Sequence, residues 1–70
     1  MNLIIDIGNT FVKLAVFEND SLVKQRVIKE LKKEIIDEII SEFNINCGVF
    51  ISVRDSNEEN LLLKNYNFLL

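Results

Sequence analysis

An acid, a polar turn and a lysine fall close together near the start of the chain: Asp6, Gly8-Asn9-Thr10 and Lys13. Phosphate is held by N–H donors and positive charge, and the amides of a tight turn can form a small anion-binding concavity. Gly8 lets backbone approach a ligand closely, and Asn9 and Thr10 add side-chain donors. Asp6 is an acid at the carboxyl end of an otherwise apolar run, where a carboxylate can orient a hydrated Mg²⁺ that bridges phosphates. Lys13 follows seven residues after Asp6. If the flanking segments pair as a hairpin, its ammonium reaches back to the same place and neutralises a phosphate oxygen. The same residues also make an ordinary tight turn that Asp6 merely caps, and on these residues alone both readings stand.

The elements that must position this set are legible as hydrophobic periodicity. Asn2 to Ile7 is apolar except for Asp6 and reads as a buried strand. Gly8-Asn9-Thr10 is turn chemistry, with Gly and Asn both tolerant of positive φ. Phe11 to Phe17 reads as a second strand, with Val12, Leu14 and Val16 on one face and Phe11, Lys13, Ala15 and Phe17 on the other. Glu18-Asn19-Asp20-Ser21 suits a hairpin. Leu22 to Ile28 contains Lys24, Gln25 and Arg26, as expected of an edge or one-sided strand. The period then changes. Leu31, Ile35, Ile36, Ile39, Ile40 and Phe43 form one apolar stripe of a helix over 29–43, with Lys33 and Asp37 spaced i, i+4 on its outer face. Cys47 to Val53 is apolar and β-branched and predicts a fourth strand, parallel to an earlier one through a right-handed crossover. Asp55 or Ser56 can cap a second helix over 58–66, and Phe68-Leu69-Leu70 opens what reads as a fifth strand. The order is α/β: a three-stranded antiparallel meander, a helix, a parallel strand and a helix.

Composition narrows the function further. Seventy residues make at most one small domain, and chains of this size usually need a disulfide, a metal or association to be stable. Cys47 is the single cysteine and there is no histidine, so neither a disulfide nor a zinc site of the usual kind is expected. A net charge of −3 with no basic stripe argues against nucleic-acid binding. No apolar run is long enough for a membrane span, and no signal-peptide pattern opens the chain. The expectation is a soluble, cytoplasmic protein. Cys47 reads as a packing thiol, because no histidine is present to activate it. Asp37, Glu38 and Glu42 read as a solvated helix face, and Arg54 as a surface residue close to the edge of the site.

Residues 1–17, MNLIIDIGNTFVKLAVF, resemble the first strand and turn of the type III pantothenate kinases, also described as the Bvg accessory factor family. In that family an Asp-x-Gly-Asn-Thr motif follows an apolar strand, often with a basic residue three positions beyond the Thr, where Lys13 stands. Phe50-Ile51-Ser52-Val53-Arg54 resembles, less specifically, the family's Ile-Ser-Ser-Val strand end. The resemblance implies the N-terminal part of a ribonuclease H-like domain of the actin-like ATPase and sugar kinase superfamily. It implies ATP-dependent phosphorylation of pantothenate, the first step towards coenzyme A. Asp6 would hold metal, Gly8, Asn9 and Thr10 would contact phosphate, and Lys13 would assist. Mg²⁺, a monovalent cation such as K⁺ or NH₄⁺, and a homo-oligomer are implied in the same way. The family's Gly-x-Asp-Arg motif, which carries the catalytic base, is absent, as is its second phosphate motif, Asp-x-Gly-Thr. The chain is therefore expected to be a truncated, catalytically inactive portion of such an enzyme. Two other readings fit the residues: an association module whose edge strands pair with another chain, or part of another kinase or ATPase of the same superfamily.

Overall fold

The computed structural model describes residues 1–53, 62–64 and 66. Four strands form one mixed sheet, β1 (Asn2–Ile7), β2 (Val12–Glu18), β3 (Ser21–Ile28) and β4 (Cys47–Ser52), in the order β3-β2-β1-β4. β1 pairs antiparallel with β2, β2 antiparallel with β3, and β1 parallel with β4. The expected meander and parallel strand are therefore both present. β3 occupies an edge of the sheet, which accounts for its polar composition.

One face of the sheet carries the core. Leu3, Ile5 and Ile7 alternate along β1, and Val12, Leu14 and Val16 along β2, all at most 1% exposed. The helix α1 (Lys33–Glu42) covers this face with Ile36 and Ile39, and Leu31 and Leu63 complete the cluster. Full burial of such a side chain contributes about 1.5–3 kcal/mol. β1, read from the sequence as a buried strand, is fully buried on one face only. Asn2 and Asp6 are exposed and Ile4 is half-buried, because α1 lies on one side only.

The expected helix start at Lys29 is also corrected. α1 begins at Lys33, and Lys32 before it is extended at φ −125° and ψ 146° with no side-chain cap. Leu31 is 6% exposed and joins the core from outside the helix. The chain leaving edge strand β3 must cross back over the sheet to bury Leu31, so the first residues of the apolar stripe are spent on an extended entry. Of the expected second helix, Leu62 to Lys64 are helical. Its start at Glu58, the loop with Arg54, and the strand expected from Phe68 lie outside the described residues.

Two side-chain systems fasten α1. Glu42 accepts from Lys24 at 3.1 Å and Glu38 from Arg26 at 3.2 Å, both basic residues lying on β3. Two strand residues span about 6.8 Å and four helical residues about 6.0 Å, so the two pairs stay in step along antiparallel axes. A β-bulge makes this possible. Val16 faces Lys24 while Phe17 faces Leu22, which leaves Val23 over and turns Lys24 and Arg26 towards the helix. The second system is Asp37, which accepts from Lys33 at 2.6 Å and from the Tyr66 hydroxyl at 2.6 Å. The face read as solvated does remain largely open, with Glu38 and Glu42 exposed, and it carries these bonds as well.

Candidate functional site

The polar turn joins β1 to β2 through residues 8–11. Ile7 pairs with Val12, and the Gly8 N–H donates to the Phe11 carbonyl at 2.9 Å. That bond continues the hairpin ladder by one step and commits one of the turn amides within the chain. Of the two properties expected of glycine here, tolerance of positive φ and close backbone approach, the first is not used: no glycine among the described residues has a positive φ, and Asn9 does not either. The left-handed residue is Asn19, at φ 55° in the β2–β3 hairpin, where Asn is tolerated because its short polar side chain can bond locally. Gly8 is needed for a different reason. A Cβ there would stand 3.1 Å from the Phe11 carbonyl oxygen, so glycine permits the close backbone approach that shuts the turn.

Asp6 is exposed near the carboxyl end of β1, with Lys13 directly opposite on β2 and Ile51 opposite on β4. The hairpin therefore does what the spacing required and sets the acid and the base on neighbouring strands, both turned away from the α1 side. Directly opposed residues have Cβ atoms about 4.5–5.5 Å apart. Their charged ends nevertheless do not form an ion pair. Among the described residues the ion pairs within 4.0 Å are Lys24–Glu42, Arg26–Glu38 and Lys33–Asp37. Asn9 and Thr10 are exposed at the tip of the turn. All five predicted residues thus sit at one end of the sheet.

β4 ends beside them. Ser52 is in register with Ile7, and the Val53 N–H donates to the Ile7 carbonyl at 3.0 Å. Two adjacent parallel strands therefore present their carboxyl ends next to the turn. β1 is also the strand at which the sheet changes from antiparallel to parallel pairing, and in open α/β sheets ligands are bound at the carboxyl ends of strands where the connectivity changes direction. Sequence reasoning had noted Ser52 in a motif but had no means of placing it against Ile7, since the pairing partner of a parallel strand is not encoded locally.

No group of three or more metal-ligating side chains occurs among the described residues. That fits Mg²⁺, which is commonly bound through one or two carboxylates plus phosphate oxygens and water, and it does not fit a protein cage. The perturbed titrations lie elsewhere, around α1. The Lys33 hydrogen bond, followed by that from Tyr66, holds Asp37 below the usual carboxylate range. Burial, then the bond to Asp37, pushes Tyr66 up to about 12. A cleft of about 400 Å³ lies at the opposite end of the sheet, lined by Met1, Asn2, Glu18, Asn19, Asn44 and Asn46. None of the five motif residues borders it. No helix among the described residues is long and apolar enough to cross a membrane.

No family model matches the chain. Curated relatives do. A type III pantothenate kinase of Christiangramia forsetii is 41% identical over an alignment covering 99% of this chain and 30% of the relative. One from Azobacteroides pseudotrichonymphae is 33% identical over 90% of this chain and 26% of its own length. One from Bacteroides fragilis is 33% identical over 83% and 24% respectively. The chain spans between about a quarter and a third of the length of these relatives.

Proposed function

Because the chain belongs, over the stretch it spans, with the type III pantothenate kinases, we propose that it forms one wall of the phosphate site of an ATP-dependent pantothenate kinase. The observation that carries this reading is the register of the first hairpin. Asp6 and Lys13 stand opposite each other at the end of the sheet where the Gly8-Asn9-Thr10 turn and the end of β4 converge. In the complete reaction, ATP would donate its terminal phosphoryl group to pantothenate. Such transfers depend mainly on positioning and on neutralising charge spread over the phosphoryl oxygens. Asp6 would hold a hydrated Mg²⁺ against those oxygens, and Lys13 would offset their negative charge. Asn9 and Thr10 would donate to phosphate, while the Gly8 amide, already bonded to Phe11, acts by keeping the turn closed. A monovalent cation, K⁺ or NH₄⁺, belongs to the same reading, as does a cytoplasmic location.

The architecture supports assignment to a ribonuclease H-like domain of the actin-like ATPase and sugar kinase superfamily: an antiparallel meander, a helix, then a strand parallel to β1 in the order β3-β2-β1-β4. The five motif residues include no acid besides Asp6 to act as base. The 70-residue chain should therefore bind phosphate weakly and not turn over. The test is a calorimetric titration with Mg²⁺ and ATP on the wild-type chain and on Asp6→Asn. Metal-dependent binding that is lost in Asp6→Asn supports the reading. Equal binding by both proteins, or binding indifferent to Mg²⁺, would defeat it.

A further inference from the structure

We propose that the cleft at the end of the sheet away from the phosphate motif is a second binding site, for a small polyhydroxylated molecule of the sugar or sugar-alcohol kind. Three parts of the chain meet there: the start of β1 with Met1 and Asn2, the β2–β3 hairpin with Glu18 and Asn19, and the connection from α1 to β4 with Asn44 and Asn46. The volume of about 400 Å³ falls within the range of small-molecule sites, about 300–1000 Å³. The six residues of β1 separate this cleft from the Gly8-Asn9-Thr10 turn, about 20 Å of strand. The site is therefore independent of the phosphate reading. Backbone bonds build its walls. The Met1 ammonium donates to the Asn44 carbonyl at 2.7 Å, and the Asn46 N–H donates to the Met1 carbonyl at 2.8 Å, which ties the α1–β4 connection to the start of β1. On the other side Asn19 is held left-handed at φ 55° where the β2–β3 hairpin turns.

With the walls fixed by backbone, the polar side chains are left over. The amides of Asn2, Asn19, Asn44 and Asn46 and the Glu18 carboxylate make no hydrogen bond or ion pair among the described residues. Around α1, by contrast, polar side chains are spent on one another: Lys24 on Glu42, Arg26 on Glu38, Lys33 and Tyr66 on Asp37. The lining decides the ligand class. A phosphate group is recognised by Lys or Arg, and the cleft is lined by neither. A divalent cation takes several oxygen ligands, usually with more than one carboxylate, whereas this lining combines a single carboxylate with the Met1 ammonium. An apolar ligand needs apolar walls, and Met1 is the one apolar side chain in the lining. What remains is a set of four carboxamides, each with two N–H donors and a carbonyl acceptor. A hydroxyl both donates and accepts, so a run of adjacent hydroxyls matches such a set, with Glu18 accepting from a further one. Each of these bonds replaces one to water and gains little net, and every lining residue except Met1 is exposed. The expected dissociation constant is therefore in the millimolar range, roughly 1–10 mM.

The experiment is a nuclear magnetic resonance titration of the ¹⁵N-labelled 70-residue chain with sorbitol and with D-glucose, between about 0.1 and 100 mM. The expected result, with at least one of the two, is a saturable shift of the side-chain amides of Asn2, Asn19, Asn44 and Asn46. The Asn9 amide, in the motif turn, should stay in place. The double variant Asn2→Ala/Asn19→Gly should weaken the binding at least five-fold with an unchanged far-ultraviolet spectrum. Both residues are exposed, and glycine keeps the left-handed backbone at position 19. Ligand-side controls need no variant: inorganic phosphate and 1,6-hexanediol, whose two hydroxyls are separated by an apolar chain, should produce no saturable shift at these four amides. Shifts that grow without saturating, or that spread equally to Asn9, overturn the proposal. So does a folded double variant that binds as tightly as the wild-type chain, or saturation by phosphate or hexanediol instead of either polyol.

Discussion

Gly8→Ala separates two accounts of why the turn contains glycine, and its cost can be worked from the structure. If Gly8 were left-handed, alanine would carry a penalty of roughly 1–2 kcal/mol from its Cβ. It is not left-handed, so that penalty does not arise. The cost is instead a contact of 3.1 Å between the new Cβ and the Phe11 carbonyl oxygen. Relief requires that oxygen to retreat by a few tenths of an ångström. It accepts the Gly8 N–H at 2.9 Å, so the retreat stretches that bond towards about 3.2 Å, the far end of the normal range. At most one net hydrogen bond is at stake, about 0.5–1.5 kcal/mol. Alanine offsets about 0.4–1 kcal/mol of this by restricting the unfolded chain. The expected net loss is below about 1 kcal/mol, which for a domain of this size moves Tm by no more than about 8 °C. Thermal unfolding followed by circular dichroism measures it. Mg²⁺-dependent ATP binding should weaken several-fold in the same variant, since the turn must open slightly. A loss above about 3 kcal/mol would refute the reasoning, because neither the contact nor the hydrogen bond can supply it.

Ile36→Ala removes a fully buried side chain from the one contact layer between α1 and the sheet. It should cost about 2–5 kcal/mol, read as a large fall in the urea midpoint or as outright unfolding. Tyr66 is the only tyrosine and there is no tryptophan, so ultraviolet difference absorbance follows its ionisation alone. The midpoint should lie near 12 and move back towards 10.0 in Asp37→Asn. Because the folded value is raised, the stability linked to Tyr66 is complete below pH 10 and is lost as pH rises from there to about 12. Asp37 has the opposite sign. Its lowered value adds stability above pH 3.8 that is lost as the solution is acidified below it, and Tyr66→Phe should lessen that loss.

Much of the architecture was legible in the residues. The alternation Val12, Leu14, Val16 placed the core face of β2, and the four strands lie within a residue or two of where apolar runs and turn residues put them. The Asp6 to Thr10 motif and Lys13 were readable because a hairpin is local, so its register follows from its turn. Three features were not readable, and each depends on something distant. Leu31 belongs to the apolar stripe by spacing but enters the core from an extended segment, because the path from β3 back over the sheet decides its conformation. Simple alternation puts Leu22 and Lys24 on one face, and the bulge at Val23 separates them. Asp37 reads as helix-surface charge and stays partly open, but its bond to Tyr66, 29 residues away, has no local signal.

By itself the sequence determined the chemical inventory and the local geometry: a carboxylate, a glycine-bearing turn and a lysine on two strands that must pair. Tertiary structure decided how these are used. It set β4 beside β1, so that Ser52 and the Val53 amide end next to the turn. It replaced positive φ at Gly8 with a steric requirement set by Phe11. It also put α1 on one face, so that among the described residues no helix covers the face bearing Asp6 and Lys13. The first and the last share one physical reason. Local sequence fixes backbone preference and side-chain phase, whereas contacts between distant segments depend on which faces the folded chain has already covered.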